Sequence, residues 1–255
     1  MSIGVILTSH KRPHTLRPQI EAIRRQSISP AVLCVWHNGS QEQNGSAVPV
    51  AEMKCVDEVV YCSNNRGVWG RFLYGLELGT KYVAVFDDDT IPGTRWLETC
   101  MEVLDGRGAV VGCSGVVFAG GVRPNRVYIG NRHDVANEMP VDIVGHSWVF
   151  PVDLLRDFAN LTRPPHATCG EDYMLSVAAQ LRRGWQTIVP PQPANEPERW
   201  GSRQPNLGRD DKALWSTPGE EEKKQASHDH YLAMGWKPLA LQTSTLPLPT
   251  VLPVT

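Results

Sequence analysis

The run Tyr82-Val-Ala-Val-Phe-Asp87-Asp88-Asp89 constrains this chain more than any other stretch. Five β-formers end in three carboxylates, and Thr90, Ile91 and Pro92 close the segment. A continuous apolar run reads as a strand buried on both faces. In an open α/β sheet, ligands bind in the crevice beyond the carboxyl ends of the strands. An extended backbone sends Asp87 and Asp89 to one side and Asp88 to the other. Two convergent carboxylates are half of a hard-cation site, which substrate phosphates commonly complete for Mg²⁺ or Mn²⁺. A polar turn is the plainer reading, because Asp bonds readily to nearby backbone. Three adjacent carboxylates repel one another unless a cation or donors neutralise them, and that favours the metal site. A calcium EF-hand loop fails on position. Asp87, Asp89 and Glu98 fit its first, third and twelfth places, but Ile91 stands at a ligand place and Pro92 at the glycine.

With 255 residues the chain has room for one large α/β domain or two small ones. Its 25 Lys and Arg nearly balance 27 Asp and Glu, for a net charge of -2. That gives no general attraction to nucleic acid or an anionic membrane, although a local patch is compatible with it. Residues 3–7 are too short an apolar run for a signal peptide, and Ser9-His-Lys-Arg12 interrupts them. No run approaches the roughly 18 apolar residues of a spanning helix, so a cytoplasmic protein is the expectation. Cys34, Cys55, Cys62, Cys100, Cys113 and Cys169 lack the spacing of zinc ligands. They read as free thiols, mostly buried.

Short apolar runs alternate with helical patterns through the first half. Residues 3–8, 31–36 and 57–62 read as strands, and residues 13–25, 67–78 and 94–104 as helices. This order predicts an α/β fold, a mixed, mostly parallel sheet flanked by helices. Residues 110–118 and 141–150 read as strands of a mixed or antiparallel extension. A helix over 170–183 ends at Gly184, a short strand covers 186–189, and a last helix covers 218–234. Residues 38–51 form a polar connection. Residues 190–211 are rich in Pro, Asn, Arg and Gly, and a loop of that length is usually functional or disordered.

With these pieces in place, the chain resembles a glycosyltransferase of the GT-A fold. Thr8-Ser9-His10-Lys11-Arg12 is similar to the nucleotide-binding first loop of such enzymes. Trp36-His37-Asn38-Gly39-Ser40 resembles the family-2 strand end that recognises the base, and Asn64-Asn65-Arg66-Gly67 resembles the turn that starts the next helix near the donor. Asp87-Asp88-Asp89 matches the DxD metal motif, and Gly170-Glu171-Asp172 matches the acidic ED motif beneath the acceptor site. Glu171-Asp172-Tyr-Met-Leu-Ser176, Gly184-Trp185 and Tyr231-Leu-Ala-Met-Gly235-Trp-Lys-Pro238-Leu239 look like an exostosin-type catalytic domain.

The resemblance implies a single Rossmann-like GT-A domain over residues 1–237, with a nucleotide-binding half (1–105), an acceptor half (106–237) and a Pro-rich tail (238–255). It implies hexosyl or N-acetylhexosaminyl transfer from a nucleotide sugar, uridine-linked by preference, with Mn²⁺ or Mg²⁺ as cofactor. Exostosin-like similarity implies retention of configuration. The acceptor is a saccharide, a lipid-linked glycan or a protein, with a nucleic-acid base less favoured by the near-neutral charge. The rivals are a sugar nucleotidyltransferase and a catalytically silent glycan- or nucleotide-binding domain. Residues 8–12 lack the glycines of the first rival, and two acidic clusters speak against the second.

Residue by residue, the resemblance gives Asp89 to the cation with Asp87 beside it, while Asp87 and Asp88 help to place the donor. Thr8, His10, Arg12, Asn38 and Asn65 belong to the nucleotide site. Arg66, Arg71, Arg199 and Arg203 are candidate cations for the diphosphate, against the alternative of solvated surface arginines. Arg66 is the favourite, because its turn aims it at the crevice. Asp172, ahead of Glu171, is expected nearest the chemistry. It is a general base in an inverting enzyme, or it positions the acceptor or stabilises the sugar cation in a retaining one. Capping at a helix start explains one of these acids without chemistry. His228, in Ser-His-Asp-His, is a candidate metal ligand, and its spacing directs it away from His230. Trp148, Trp185, Trp200 and Trp215 are candidates for stacking on sugars, with core packing favoured for the first two. Trp200 and residues 190–211 are expected to close over bound donor.

Overall fold

The computed structural model describes residues 1–40, 48–121, 123–130, 133–165, 168–204, 206–210, 213 and 217–242. Its strands are β1 (Ile3–Ser9), β2 (Val32–His37), β3 (Glu58–Tyr61), β4 (Tyr82–Phe86), β5 (Ala109–Phe118), β6 (Arg126–Gly130), β7 (Met139–Val141), β8 (Ile143–Pro151) and β9 (Gln186–Val189). They form one sheet in the order β3-β2-β1-β4-β8-β5-β9-β7, with β6 on the side of β5. β1, β2, β3 and β4 run parallel to their neighbours among themselves. From β8 onward the pairing turns mainly antiparallel, with β4–β8, β5–β8, β5–β6 and β7–β9 ladders and a parallel β5–β9 pair.

Side-chain alternation along the strands feeds two apolar layers. One face carries Val5, Leu7, Leu33, Val35, Ala84 and Phe86 against α1 (Pro13–Arg24) and Trp96, Leu97 and Cys100 of a second helix (Trp96–Leu104). The other carries Ile6, Cys34, Val83, Val85, Trp148 and Phe150, with Phe72, Phe158 and Tyr173 packed on them. In chain order the helices are α1, α2 (Val50–Met53), α3 (Gly70–Leu73), α4 (Trp96–Leu104), α5 (Leu154–Asn160), α6 (Glu171–Arg183) and α7 (Glu220–Ala233). α6 carries Glu171 and Asp172 in its first turn and Arg182 and Arg183 in its last, each charge complementing the helix dipole. All six cysteines are free, and five are buried. No helix among the described residues is long and apolar enough to cross a membrane.

Two expectations change in detail. The helix expected over 67–78 is only α3 followed by a 3₁₀ turn, Tyr74–Leu76. Gly70 lies so close to the Trp36 ring that a Cβ there would stand 2.7 Å from it. This segment is shaped by packing against β2, and its glycines lower its own helical preference. The strand expected over 141–150 is divided at Asp142. Its carboxylate accepts hydrogen bonds from the backbone N–H of Phe118 and Leu239, both 2.6 Å. Residues before it pair with β9 and residues after it with β5 and β4. Residues 243–255, most of the expected tail, lie outside the described residues.

Candidate active site

At the carboxyl end of β4, the ladder with β8 continues one step beyond the strand: the N–H of Asp87 donates to the carbonyl of His146, 3.0 Å. Thr90 Oγ1 donates to the same carbonyl at 3.0 Å. From α1, Gln19 Nε2 donates to the carbonyls of Asp87 (2.6 Å) and Thr90 (2.9 Å). The acidic turn is therefore held from both sides by backbone and amide bonds. His146 has φ 66, a left-handed conformation uncommon for a residue with a Cβ, and such strain clusters at functional sites. The result is that ligand atoms of Asp87, Asp89 and His146 lie within 4.8 Å of one another.

Two buried arginines neutralise the acids. Arg71, 5% exposed, places Nη1 2.6 Å from Asp87 and 2.8 Å from Thr8 Oγ1, and Nη2 2.9 Å from Glu171. It joins the two acidic clusters across the cleft. Arg12, 6% exposed, bonds Asp88 at 2.6 Å and grips Asp210 through Nε and Nη2 at 2.9 and 2.6 Å. Gly208, with φ 80, lies against Asp89 so closely that a Cβ would collide with its carboxylate. Residues 206–210 thus cover the acidic turn.

Burial sets the protonation of these groups, and the neighbouring charges modify it. Burial raises Asp87, opposed by Arg71. It pushes Asp88 up to about 7 against the pull of Arg12. Burial also works against ionisation of Asp89, but the charge of His146, whose Nδ1 lies 4.0 Å away, and that of Arg12 hold its pKa below the usual value. His146 is correspondingly raised by Asp89, although burial opposes its charge. Burial pushes Glu171 up to about 7, against Arg71 and with the help of Asp172. Between its ordinary 4.5 and about 7, Glu171 therefore holds a proton in the folded chain that the unfolded chain has released. Stability of the metal-free protein falls as pH rises through that window. Glu171→Gln is expected to flatten part of the slope of Tm against pH measured in EDTA. An unchanged slope would contradict the placement of Glu171.

A cleft of about 390 Å³ opens over this centre. Thr8, His10, Arg12 and Asn38 line its β1–β2 end. Asn38 organises the turn beyond β3: its Oδ1 accepts the N–H of Arg66 at 2.8 Å, and its Nδ2 donates to Asn65 Oδ1 and the Gly67 carbonyl at 2.9 and 3.0 Å. Glu171 and Asp172 line the middle of the cleft. Asp172 Oδ1 accepts the N–H of Tyr173 at 2.8 Å.

Several expected participants lie elsewhere. His228 does not join the carboxylates. Its Nδ1 is 3.3 Å from the Tyr173 hydroxyl and its Nε2 3.2 Å from the Gly121 carbonyl, inside a cluster with Phe118 and Trp236. His146 stands beside the acids instead. Arg66 is exposed and does not line the cleft, and Arg71, five residues further on in α3, faces it. Arg203 is exposed, with its backbone N–H on the Ile91 carbonyl at 2.8 Å. Arg199 pairs with Glu102 on α4. Trp200 donates to the Pro193 carbonyl at 2.8 Å and lies outside the cleft. Trp148 packs in the core layer and also lines the cleft, Trp185 packs against that layer, and Trp215 lies outside the described residues. The long loop is largely a strap. Gln192 pairs with Val135 and donates to the Cys113 carbonyl at 2.9 Å, while Gly93 and Arg95 donate to the carbonyls of Trp200 and Glu198 at 2.8 and 2.7 Å. Among the described residues of this loop, its later part, at 206–210, is what reaches the acids.

The residues fit a divalent cation. Two carboxylates and one imidazole suit Mn²⁺, and phosphate oxygens are the natural completion of such a set.

No family model matches the chain. Over 120 residues it is 28% identical to the glucosyl-dolichyl phosphate glucuronosyltransferase of Haloferax volcanii, covering 46% of this chain and 38% of that protein. The mannosyltransferase PcManGT from Pyrobaculum calidifontis, solved with GDP-Man and Mn²⁺, superposes with a TM-score of 0.52 at 17% identity, over 74% of this chain and 55% of the other. S. aureus TarS 1-349 superposes with a TM-score of 0.53 at 16% identity, over 74% and 58% of the two chains. Its complex with UDP-GlcNAc gives 0.50 at 14% identity, over 74% and 56%. The chain thus has the GT-A fold of glycosyltransferases. It spans somewhat more than half the length of these solved chains and well under half of the curated relative.

Proposed function

We propose that the chain is a metal-dependent glycosyltransferase moving a sugar from a nucleoside-diphosphate donor, UDP-linked by preference, to an acceptor hydroxyl. The convergence of Asp87, Asp89 and His146 at the crevice of the sheet, beside buried Arg71, carries this reading. A bound divalent cation would supply Lewis-acid neutralisation of the diphosphate leaving group. Asp87, Asp89 and His146 would hold it. Arg12 and Arg71, already aimed at the acids, would share the charge of the phosphates. Thr8, His10 and Asn38 line one end of the cleft, and there they would receive the nucleoside. The GDP-Man and UDP-GlcNAc complexes of the structural neighbours support a nucleotide-sugar donor.

Glu171 is committed to Arg71, whereas Asp172 gives Oδ1 to the helix backbone and keeps Oδ2 for a ligand. Asp172 is therefore the group we assign to receive the acceptor proton as general base. This assignment fits a single displacement with inversion, in place of the retention that the exostosin-like resemblance implied. The anomer formed, read by NMR, checks it. The wider reading is tested by incubating nucleotide sugars with and without Mn²⁺. Free UDP and free sugar released only with the metal are expected. Binding without turnover of any donor would favour a silent module, and formation of UTP and sugar 1-phosphate once pyrophosphate is added would favour a pyrophosphorylase.

A further inference from the structure

The cleft extends past the acids on the side away from β1 and β2. Sheet order places β4 and β8 between those strands and β5, with β6 beyond, so this second end lies opposite the nucleoside end. Its wall holds Arg123, Arg126 and Tyr128 of the β5–β6 hairpin and Lys224 of α7. Arg123 is 5% exposed. It donates Nη1 to the Tyr173 hydroxyl at 3.1 Å and Nη2 to Glu221 at 3.0 Å, and its buried Nε has no partner. Arg126 donates Nη1 to the same Glu221 at 2.6 Å and Nε to the Tyr128 hydroxyl at 2.7 Å. Lys224 forms no ion pair among the described residues.

Two arginines therefore share one carboxylate, with Lys224 on the same wall, and Glu221 is itself mostly exposed. A buried guanidinium with an unpaired N–H is costly unless something completes its bonding. Planar arginine forks suit phosphate and carboxylate oxygens, and a lysine beside them adds a mobile point charge. We infer that this end of the cleft binds an oxyanion, a phosphate or carboxylate carried by the acceptor, so that the acceptor is acidic and not a neutral sugar. The word acceptor rests on the transferase reading above; the anion site itself rests on the cluster alone.

The test measures binding of glycerol 3-phosphate and of glucuronate, with glycerol and glucose as neutral counterparts, by calorimetry at low ionic strength. Wild type is compared with the Arg126→Gln/Lys224→Gln double variant, with folding checked by circular dichroism. At least one anionic probe is expected to bind wild type and to lose tenfold or more in the variant, while the neutral probes bind neither form measurably. Preference for glycerol 3-phosphate would identify a phosphate-bearing acceptor, and preference for glucuronate a uronic acid. Anionic probes that bind both forms equally, or neither, would overturn the inference. Wild-type binding of UDP with Mn²⁺ is measured alongside. Its absence with anion binding intact would overturn the transferase reading and leave the anion site standing.

Discussion

Asp89→Asn is expected to reduce Mn²⁺-dependent donor turnover roughly 10³-fold, about 4 kcal/mol of transition-state stabilisation. Its carboxylate contributes one of the three convergent ligand atoms, with Asp87 and His146. Its own links to the protein are loose. Arg12 is 3.9 Å away, and His146 Nδ1 is 4.0 Å away. The asparagine keeps the shape beside Gly208 but offers a neutral, weaker ligand. The fold should therefore survive while the electron paramagnetic resonance signal of bound Mn²⁺ is lost. A variant with unaltered Mn²⁺ dependence would show that the cation sits elsewhere.

Arg71→Met is expected to act mainly on stability. It removes the buried guanidinium held between Asp87 and Glu171 and leaves two half-buried carboxylates without their shared cation. Breaking a buried pair from one side typically costs about 3–5 kcal/mol. For a chain of this size that is a fall in Tm of roughly 6–20 °C. Arg71→Lys is expected to fall between, because one ammonium cannot reproduce the planar fork to both acids. Differential scanning calorimetry checks both. A loss below about 1 kcal/mol for the methionine variant would mean that the two acids share a proton without needing the cation.

The β4 acids were legible because a buried strand and its polar end make a one-dimensional pattern. The start and end of α6 were legible for the same reason, with acids and Gly184 marking the two caps. His146 was not, because nothing in Gly145-His146-Ser147 signals a left-handed residue at a strand bulge. Its position depends on β8 pairing beside β4, a contact between segments about 60 residues apart. The same limit misdirected His228, whose sequence context shows two nearby histidines but not the aromatic cluster that encloses one of them. Arg66 and Arg71 were both plausible on spacing. The choice between them was made by Gly70 packing on Trp36, which turns α3 so that Arg71 faces the crevice. α5 and β6 had no distinct periodic signal, since each is short and takes its order from neighbours.

Gln19 has a consequence for the thermodynamics of ligand capture. A neutral amide, indifferent to pH and to salt, ties the carbonyls of Asp87 and Thr90 to α1. The loop that presents the acids is thereby fixed before any ion or nucleotide arrives. Capture then requires rotamer adjustment and desolvation but little loss of main-chain entropy, the advantage of a preorganised receptor. Heat capacity and entropy of Mn²⁺ binding should accordingly resemble those of a rigid chelator and not those of a segment that folds around its ligand.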